Sequence, residues 1–139
     1  MYPLSKPSER SANLLRTLVS KLSSGFIPIT TERRSLIINN VPTDIIVSVT
    51  SDQLESVISS LINKLVRHTE FCCIRIDAES TEIATVVMLK TNRDLNHQYN
   101  SGFLNQVIGL AKVIDGVIDM PSGNWRMITL SFPNRSQAA

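Results

Sequence analysis

Leu54, Val57, Ile58, Leu61, Ile62, Leu65 and Val66 recur at i, i+3, i+4 and i+7, a period that only an amphipathic helix satisfies. Thr50-Ser51-Asp52-Gln53 supplies a capping start, so a helix is expected over about 51–68. One apolar stripe of that length must be covered by another layer. The sequence supplies the cover at once. From Cys73 to Ala78 the period changes to two, with Ile74, Ile76 and Ala78 on one face and Arg75 and Asp77 on the other. Ile83–Lys90 is a second β-rich run, joined to the first by the polar Glu79-Ser80-Thr81-Glu82, as in an antiparallel hairpin.

The same alternation of periods recurs on both sides. Before the central helix, Leu14, Leu15, Leu18, Val19 and Leu22 predict a first helix over about 9–23, stopped by Gly25. Ser35–Asn39 and Ile45–Val49 are short β-branched runs parted by Asn39-Asn40-Val41-Pro42, which predicts a hairpin-like pair. After the polar stretch 91–101, Phe103, Leu104, Val107, Ile108, Ala111 and Ile114 predict a third helix up to Gly116. Val117–Met120, the turn Pro121-Ser122-Gly123-Asn124 and Trp125–Phe132 form a closing hairpin, with a frayed tail from Pro133 to Ala139. The expected fold class is α+β: a two-layer sandwich with three helices on one face of a mixed, mostly antiparallel sheet. At 139 residues a single domain is expected over 1–139, with a core of about 12–133 and a tail of 134–139.

Composition excludes several function classes. Fourteen Lys and Arg against twelve Asp and Glu leave +2 with no basic run, which gives no electrostatic footprint for nucleic acid. No apolar stretch approaches the roughly 18 residues of a membrane helix. The polar first ten residues do not resemble a signal peptide, so a cytoplasmic location is expected. Cys72 and Cys73 are the two cysteines; neighbours in sequence cannot pair without strain, and reduced thiols are expected. His68, Cys72 and Cys73 lack a fourth ligand at structural-zinc spacing, so no metal site is expected. His97 lies in a polar stretch without a nucleophile arranged around it. HExxH, GxxxxGK[ST], GxSxG and repeated CxxC motifs are all missing.

One resemblance rests on a run of residues. Ser60-Leu61-Ile62-Asn63-Lys64-Leu65-Val66-Arg67-His68-Thr69 resembles the Asn-Leu-Leu-x-Asn-Ala-x-Lys-His-Thr segment of the ATP-binding domain of sensor histidine kinases. Ile37-Ile38-Asn39-Asn40-Val41-Pro42 and Val49-Thr50-Ser51-Asp52 are similar to the strands and helix start that precede it. Ser101-Gly102-Phe103-Leu104 stands for a later Gly-x-Gly-Leu, Asp115-Gly116-Val117-Ile118 for a Gly-Gly-x-Ile, and Leu130-Ser131-Phe132-Pro133 for the last strand. The resemblance implies the fold of the histidine kinase, gyrase, MutL and heat-shock-chaperone ATPases, a helical layer on a mixed sheet.

The resemblance also implies what has changed. In the family the second Asn of the helix motif holds Mg²⁺ against the nucleotide phosphates; its counterpart here is Lys64, whose ammonium has donors only. Ser60 replaces the first Asn, and Asn63 lies about 100° round the helix from the Mg²⁺ position. The family's adenine-binding Asp-x-Gly aligns with Thr91-Asn92-Arg93, which offers a hydroxyl for a carboxylate and fills the space of the glycine. Ten residues separate Thr91 from Gly102, too few for a nucleotide lid, and Trp125-Arg126 stands where a Gly-Thr is usual. No phosphoacceptor helix pair precedes the domain, so autophosphorylation in cis is not expected.

Ser60, Asn63, Lys64, Thr91 and Arg93 are therefore the candidate residues of a vestigial nucleotide cleft, with no catalytic and no metal-binding residue among them. The first reading is a non-catalytic binding or regulatory module of two-component type, without a required cofactor, whose protein partner is a histidine kinase or a response regulator. A second keeps weak ATP or ADP binding without Mg²⁺, with Lys64 pairing with a phosphate and Ser60, Thr91 and Arg93 around base and sugar. A third is a small kinase of the anti-sigma-factor type, which needs the Asn and Asp that are missing. Against all three, Lys64 can be an ordinary solvated helix residue, Trp125 a hairpin cap, and Phe103 and Leu104 core. Neither the partner's identity nor the oligomeric state is written in these residues.

Overall fold

The computed structural model describes residues 14–47, 51–92, 105–120 and 127–134. Its elements are α1 (Leu15–Gly25), α2 (Ile27–Glu32), β1 (Leu36–Asn39), α3 (Ser51–Arg67), β2 (Cys73–Ser80), β3 (Ala84–Thr91), α4 (Asn105–Ala111), a 3-10 turn (Lys112–Ile114), β4 (Val117–Asp119) and β5 (Met127–Pro133). The strands form one five-stranded sheet in the order β1-β2-β3-β5-β4. Only the β1–β2 pair is parallel. The fold is the expected two-layer α+β sandwich.

The period-3.6 stripe makes the core. All seven apolar residues that define α3 have no solvent exposure. They share one cluster with Leu15, Leu18, Val19 and Leu22 of α1, Ile74 and Ile76 of β2, Val87 and Leu89 of β3, and Ile128, Leu130 and Phe132 of β5. Burying each such side chain stabilises by about 1.5–3 kcal/mol, which fixes α3 against the sheet. α1 packs against β1 and α4 against β4, at opposite margins of the sheet, and both touch α3 between them. The Thr81 hydroxyl accepts from Ala84 N at 3.2 Å and Ile83 N at 3.3 Å, closing the β2–β3 hairpin.

The pairing expected for the first two β-branched runs is overturned. β1 runs parallel to β2, with Leu36 opposite Cys73 and Asn39 opposite Ile76, and α3 is the crossover that parallel neighbours require. Described residues of the 45–49 run make only an isolated bridge, Ile46 to Leu14, reinforced by Leu15 N donating to Ile45 O at 3.0 Å. Asn39 explains the failure. Its Nδ2 donates to Arg16 O and Ser20 Oγ, and its Oδ1 accepts from Val41 N, so the chain is drawn toward α1 instead of turning back along β1.

Three further expectations are corrected. Leu14 is extended, so within the described residues the first helix starts at Leu15; Gly25 does not end the helical region, because the chain turns at Phe26 and resumes as α2 with Pro28 in its first turn, where proline loses no hydrogen bond. The third helix is α only to Ala111, then tightens into the 3-10 turn and closes through Asp115, which has φ 55°. Gly116 follows with its N–H on Ala111 O at 2.8 Å. A Cβ there would stand 3.2 Å from both that oxygen and Leu130 Cδ1. Pro133 and Asn134 are not frayed: Pro133 pairs with Ala84, Asn134 N donates to Ile83 O at 2.9 Å, and its side chain bridges Thr81 O and the Thr85 hydroxyl. The expectations for the turn 121–124, Trp125, Phe103 and Leu104 lie outside the described residues.

Candidate functional site

The period of α3 decides what its polar residues can reach. At about 100° per residue, Glu55 and Lys64 fall on opposite flanks of the buried stripe. The Glu55 flank faces α1, since Glu55 Oε1 meets Lys21 Nζ at 3.4 Å. Lys64 and Ser60 therefore lie on the flank toward α4, both half-buried. Asn63 is a quarter-turn away on the outer side. Its Oδ1 accepts from Arg67 Nε at 2.7 Å, one helical turn on.

The end of the motif has a structural role. The buried Thr69 hydroxyl donates to Leu65 O at 2.7 Å, and His68 Nδ1 lies 2.9 Å from Lys64 O. These contacts engage carbonyls of the last helical turn, and Leu65 O also accepts from His68 N at 3.3 Å. Arg33 Nη1 donates to Thr69 O at 3.3 Å. Phe71 N then donates to Arg33 O at 3.1 Å, and Arg34 stands over the Phe71 ring with Cζ 5.9 Å from its centroid. Arg34 and Phe71 both have positive φ, 55° and 53°, so two adjacent turns hold uncommon backbone conformations for non-glycine residues. His68 belongs to this closure; among the described residues no three His, Cys, Asp or Glu side chains are grouped to hold a metal ion.

Thr91 is the last residue of β3, opposite Ile74, and is buried on the helical side with Leu89 and Val87. Five residues connect the end of α3 to the start of β2, and the start of β2 pairs with the end of β3. The last turns of α3, with Lys64, thus lie at the end of the sandwich where β3 ends in Thr91, while Ser60 sits in the middle of the helix. Asn63 is on the outer side, and Arg93 lies outside the described residues. Asn92 lies beside Cys73, Arg75 and Lys90 and accepts from Cys73 N at 2.9 Å. A magnesium ion requires oxygen ligands. The Lys64 side chain has none to give and the Asn63 amide oxygen is turned to Arg67, so neither supplies the ligand that the resemblance implies at this place in the helix.

Sequence reading missed a charged network on the opposite face of the sheet. Asp77 meets Lys90 Nζ at 3.0 Å, Arg75 Nε at 3.4 Å and the amide of Asn40. Burial works to raise its pKa, but the hydrogen bonds from Asn40 and Lys90 and the charges of Lys90 and Arg75 outweigh it and hold the carboxyl below its ordinary value. Beside the network is a shallow groove lined by Ile38, Cys73, Arg75, Lys90, Thr91 and Asn92, of about 230 Å³. Arg75 and Asp77 at i, i+2 announce the face; Lys90 required the hairpin register.

Comparison with solved structures identifies the architecture. The chain has the fold of the catalytic ATPase domain of histidine kinases. It superposes on the Acinetobacter baumannii histidine kinase AdeS with a TM-score of 0.74 at 13% identity, over 87% of this chain and 65% of that one. The isolated catalytic domain of histidine kinase ThkA gives 0.71 at 12% identity, over 87% and 94%. The blue-light activated histidine kinase of Erythrobacter litoralis EL346 gives 0.70 at 13%, over 91% and 47%. The chain therefore spans an ATPase-type domain and less than two thirds of the longer kinases. The sequence itself matches no protein-family model and no curated protein.

Proposed function

We propose that this chain is a histidine-kinase-type ATPase domain that has lost Mg²⁺-dependent nucleotide chemistry and acts as a non-catalytic binding or regulatory module in two-component-type signalling. The observation that carries the reading is the register of α3. It puts a lysine, with no lone pair to offer while charged, on the cleft flank where the resemblance implies a metal-holding asparagine, and it turns the neighbouring Asn63 away toward Arg67. Phosphoryl transfer depends on metal-assisted charge neutralisation, so turnover near background is expected. A solved neighbour is histidine kinase ThkA in complex with response regulator protein TrrA, at TM-score 0.65 and 14% identity over 87% of this chain and 40% of that one. It supports a kinase or a response regulator as the class of partner. Among the described residues no helix is long and apolar enough to cross a membrane, in keeping with a cytoplasmic site of action.

Thermal denaturation with millimolar Mg-ATP, ATP with EDTA, and ADP tests the cleft. Ligand at 100 times its dissociation constant adds about 2.7 kcal/mol, and the reading expects no shift in any arm. A shift that requires Mg²⁺ refutes it. A shift with nucleotide alone favours a second reading, metal-free nucleotide binding, with Lys64 in the last turns of α3 pairing with a phosphate. Pull-down against isolated kinase hairpins and receiver domains tests the partner class, and retention of neither counts against it.

A further inference from the structure

The charges of this chain are sorted by end. α3 is the crossover between the parallel strands β1 and β2, so it runs against them and its last turn lies beside their starts. Of the nine Lys and Arg among the described residues, six lie at that end: Arg33, Arg34, Lys64, Arg67, Arg75 and Lys90. Asp52 and Glu55, in the first turns of α3, and Glu79 and Glu82, beside the β2–β3 turn, stand at the other. The net charge of +2 conceals this separation. A field of one sign over one end steers and orients a partner of the opposite sign.

We propose that the basic end, centred on Arg34 and Phe71, docks an acidic surface of another protein. Asp77 answers Arg75 and Lys90. Arg33, Arg34 and Arg67 form no ion pair among the described residues, although Glu32 and Glu70 are close by in sequence. Asn63 takes Nε of Arg67 and Thr69 O takes one Nη of Arg33, which leaves most donors of each guanidinium for the paired oxygens of a carboxylate. Phe71 is 53% exposed beneath Arg34, and an aromatic ring beside an arginine is the pairing that most often carries binding energy at protein interfaces. The backbone points the same way. Arg34 and Phe71 hold φ 55° and 53°, which glycine would adopt at no steric cost, so both side chains are carried at a backbone penalty.

Carboxylates of a protein suit this end better than phosphates. Glu32 and Glu70 are exposed among the arginines and repel the even charge of a nucleic acid or an anionic bilayer. A protein surface can set carboxylates against Arg34 and Arg67 and donors against the two acids. The candidate cleft lies on the α4 side of α3, whereas Arg34 lies just before β1 at the opposite margin of the sheet. Docking here is therefore independent of whether the cleft binds nucleotide.

Fluorescence anisotropy of a labelled peptide of repeated Glu-Glu-Leu, titrated with the 139-residue chain, tests the end. The controls are the same peptide with Gln for Glu, labelled single-stranded DNA, and co-sedimentation with vesicles of phosphatidylserine and phosphatidylcholine. The acidic peptide is expected to bind in preference to all three. Its affinity should fall about tenfold as the screening length shrinks from about 30 Å at about 0.01 M salt to about 8 Å at about 0.15 M. Arg34→Gly is expected to weaken the peptide about tenfold without lowering the melting temperature, because the strained φ is relieved. Lys112→Ala should leave binding unchanged, since it removes an exposed charge in the 3-10 turn before β4, at the other end. If Arg34→Gly does not fold, Arg34→Asn decides, asparagine also being tolerant of positive φ. No binding of the acidic peptide, binding indifferent to the Arg34 substitution, an equal loss with Lys112→Ala, or equal binding of DNA or vesicles overturns the proposal.

Discussion

The register of α3 assigns Lys64, and not Asn63, to the cleft flank, and a pair of alanine substitutions tests it. Leu61 has no solvent exposure and sits in the middle of the α3 stripe. Leu61→Ala removes three carbons, about 2.4 kcal/mol at about 0.8 kcal/mol each, and the unrelaxed cavity brings the cost to about 3–5 kcal/mol. Asn63→Ala removes an exposed i, i+4 contact with Arg67 worth under about 0.5 kcal/mol, and the better helix propensity of alanine offsets that loss. At roughly 3 °C per kcal/mol for a domain of this size, calorimetry should find Leu61→Ala about 10 °C below the parent and Asn63→Ala within about 2 °C of it. A slip of one residue would rotate every side chain by about 100° and carry Asn63 toward the cleft flank. Equal effects, or a larger effect for Asn63→Ala, would show that the helix is set differently. The case for a lost Mg²⁺ site would then fail with it.

What could be read from the sequence follows the physics of each element. α3 was legible because seven apolar residues at helical spacing outweigh any local ambiguity, and the same period separates Lys64 from Asn63 without a structure. β2 and β3 were legible because Ile74, Ile76 and Ala78 alternate with Arg75 and Asp77 and a polar turn follows. β1 was legible as a strand and illegible as to partner. Four residues carry no information on whether the neighbour is the next run or one beyond a crossover helix, and Asn39-Asn40 has the composition of a hairpin turn while Asn39 in fact ties the strand to α1. α2 was missed because six residues hold too few turns to show a period, and Pro28 reads as a breaker unless it falls in a first turn. Of the candidate cleft residues, Thr91 ends β3 on the helical side and Lys64 lies in the last turns of α3. Asn63 was separated from them by the helical period already counted in the sequence. The Asp77 network needed the cross-strand register, which no single run encodes.

The remaining predictions concern the closure of α3 and the outer face. Thr69→Val keeps the shape of a buried side chain but deletes its 2.7 Å bond to Leu65 O, so a loss of about 1 kcal/mol is expected in denaturant titration; an unchanged midpoint would mean that the hydroxyl does not cap the helix. The last prediction is one of pH. Asp77 has its carboxyl held below the ordinary 3.8 by Asn40, Lys90 and Arg75 against the opposing effect of burial. A carboxyl whose pKa is lower folded than unfolded binds fewer protons in the native state, so its stabilisation is complete above the unfolded value and fades as pH falls through the folded one. Its neighbours are partly exposed, so solvent screens the contribution and it stays modest. Urea midpoints for the parent and Asp77→Asn should therefore differ by a constant amount from pH 7 to pH 5 and converge below about pH 4. A difference that persists unchanged into acid would place the effect in packing, and the cations of the outer face would then not be what holds this carboxylate.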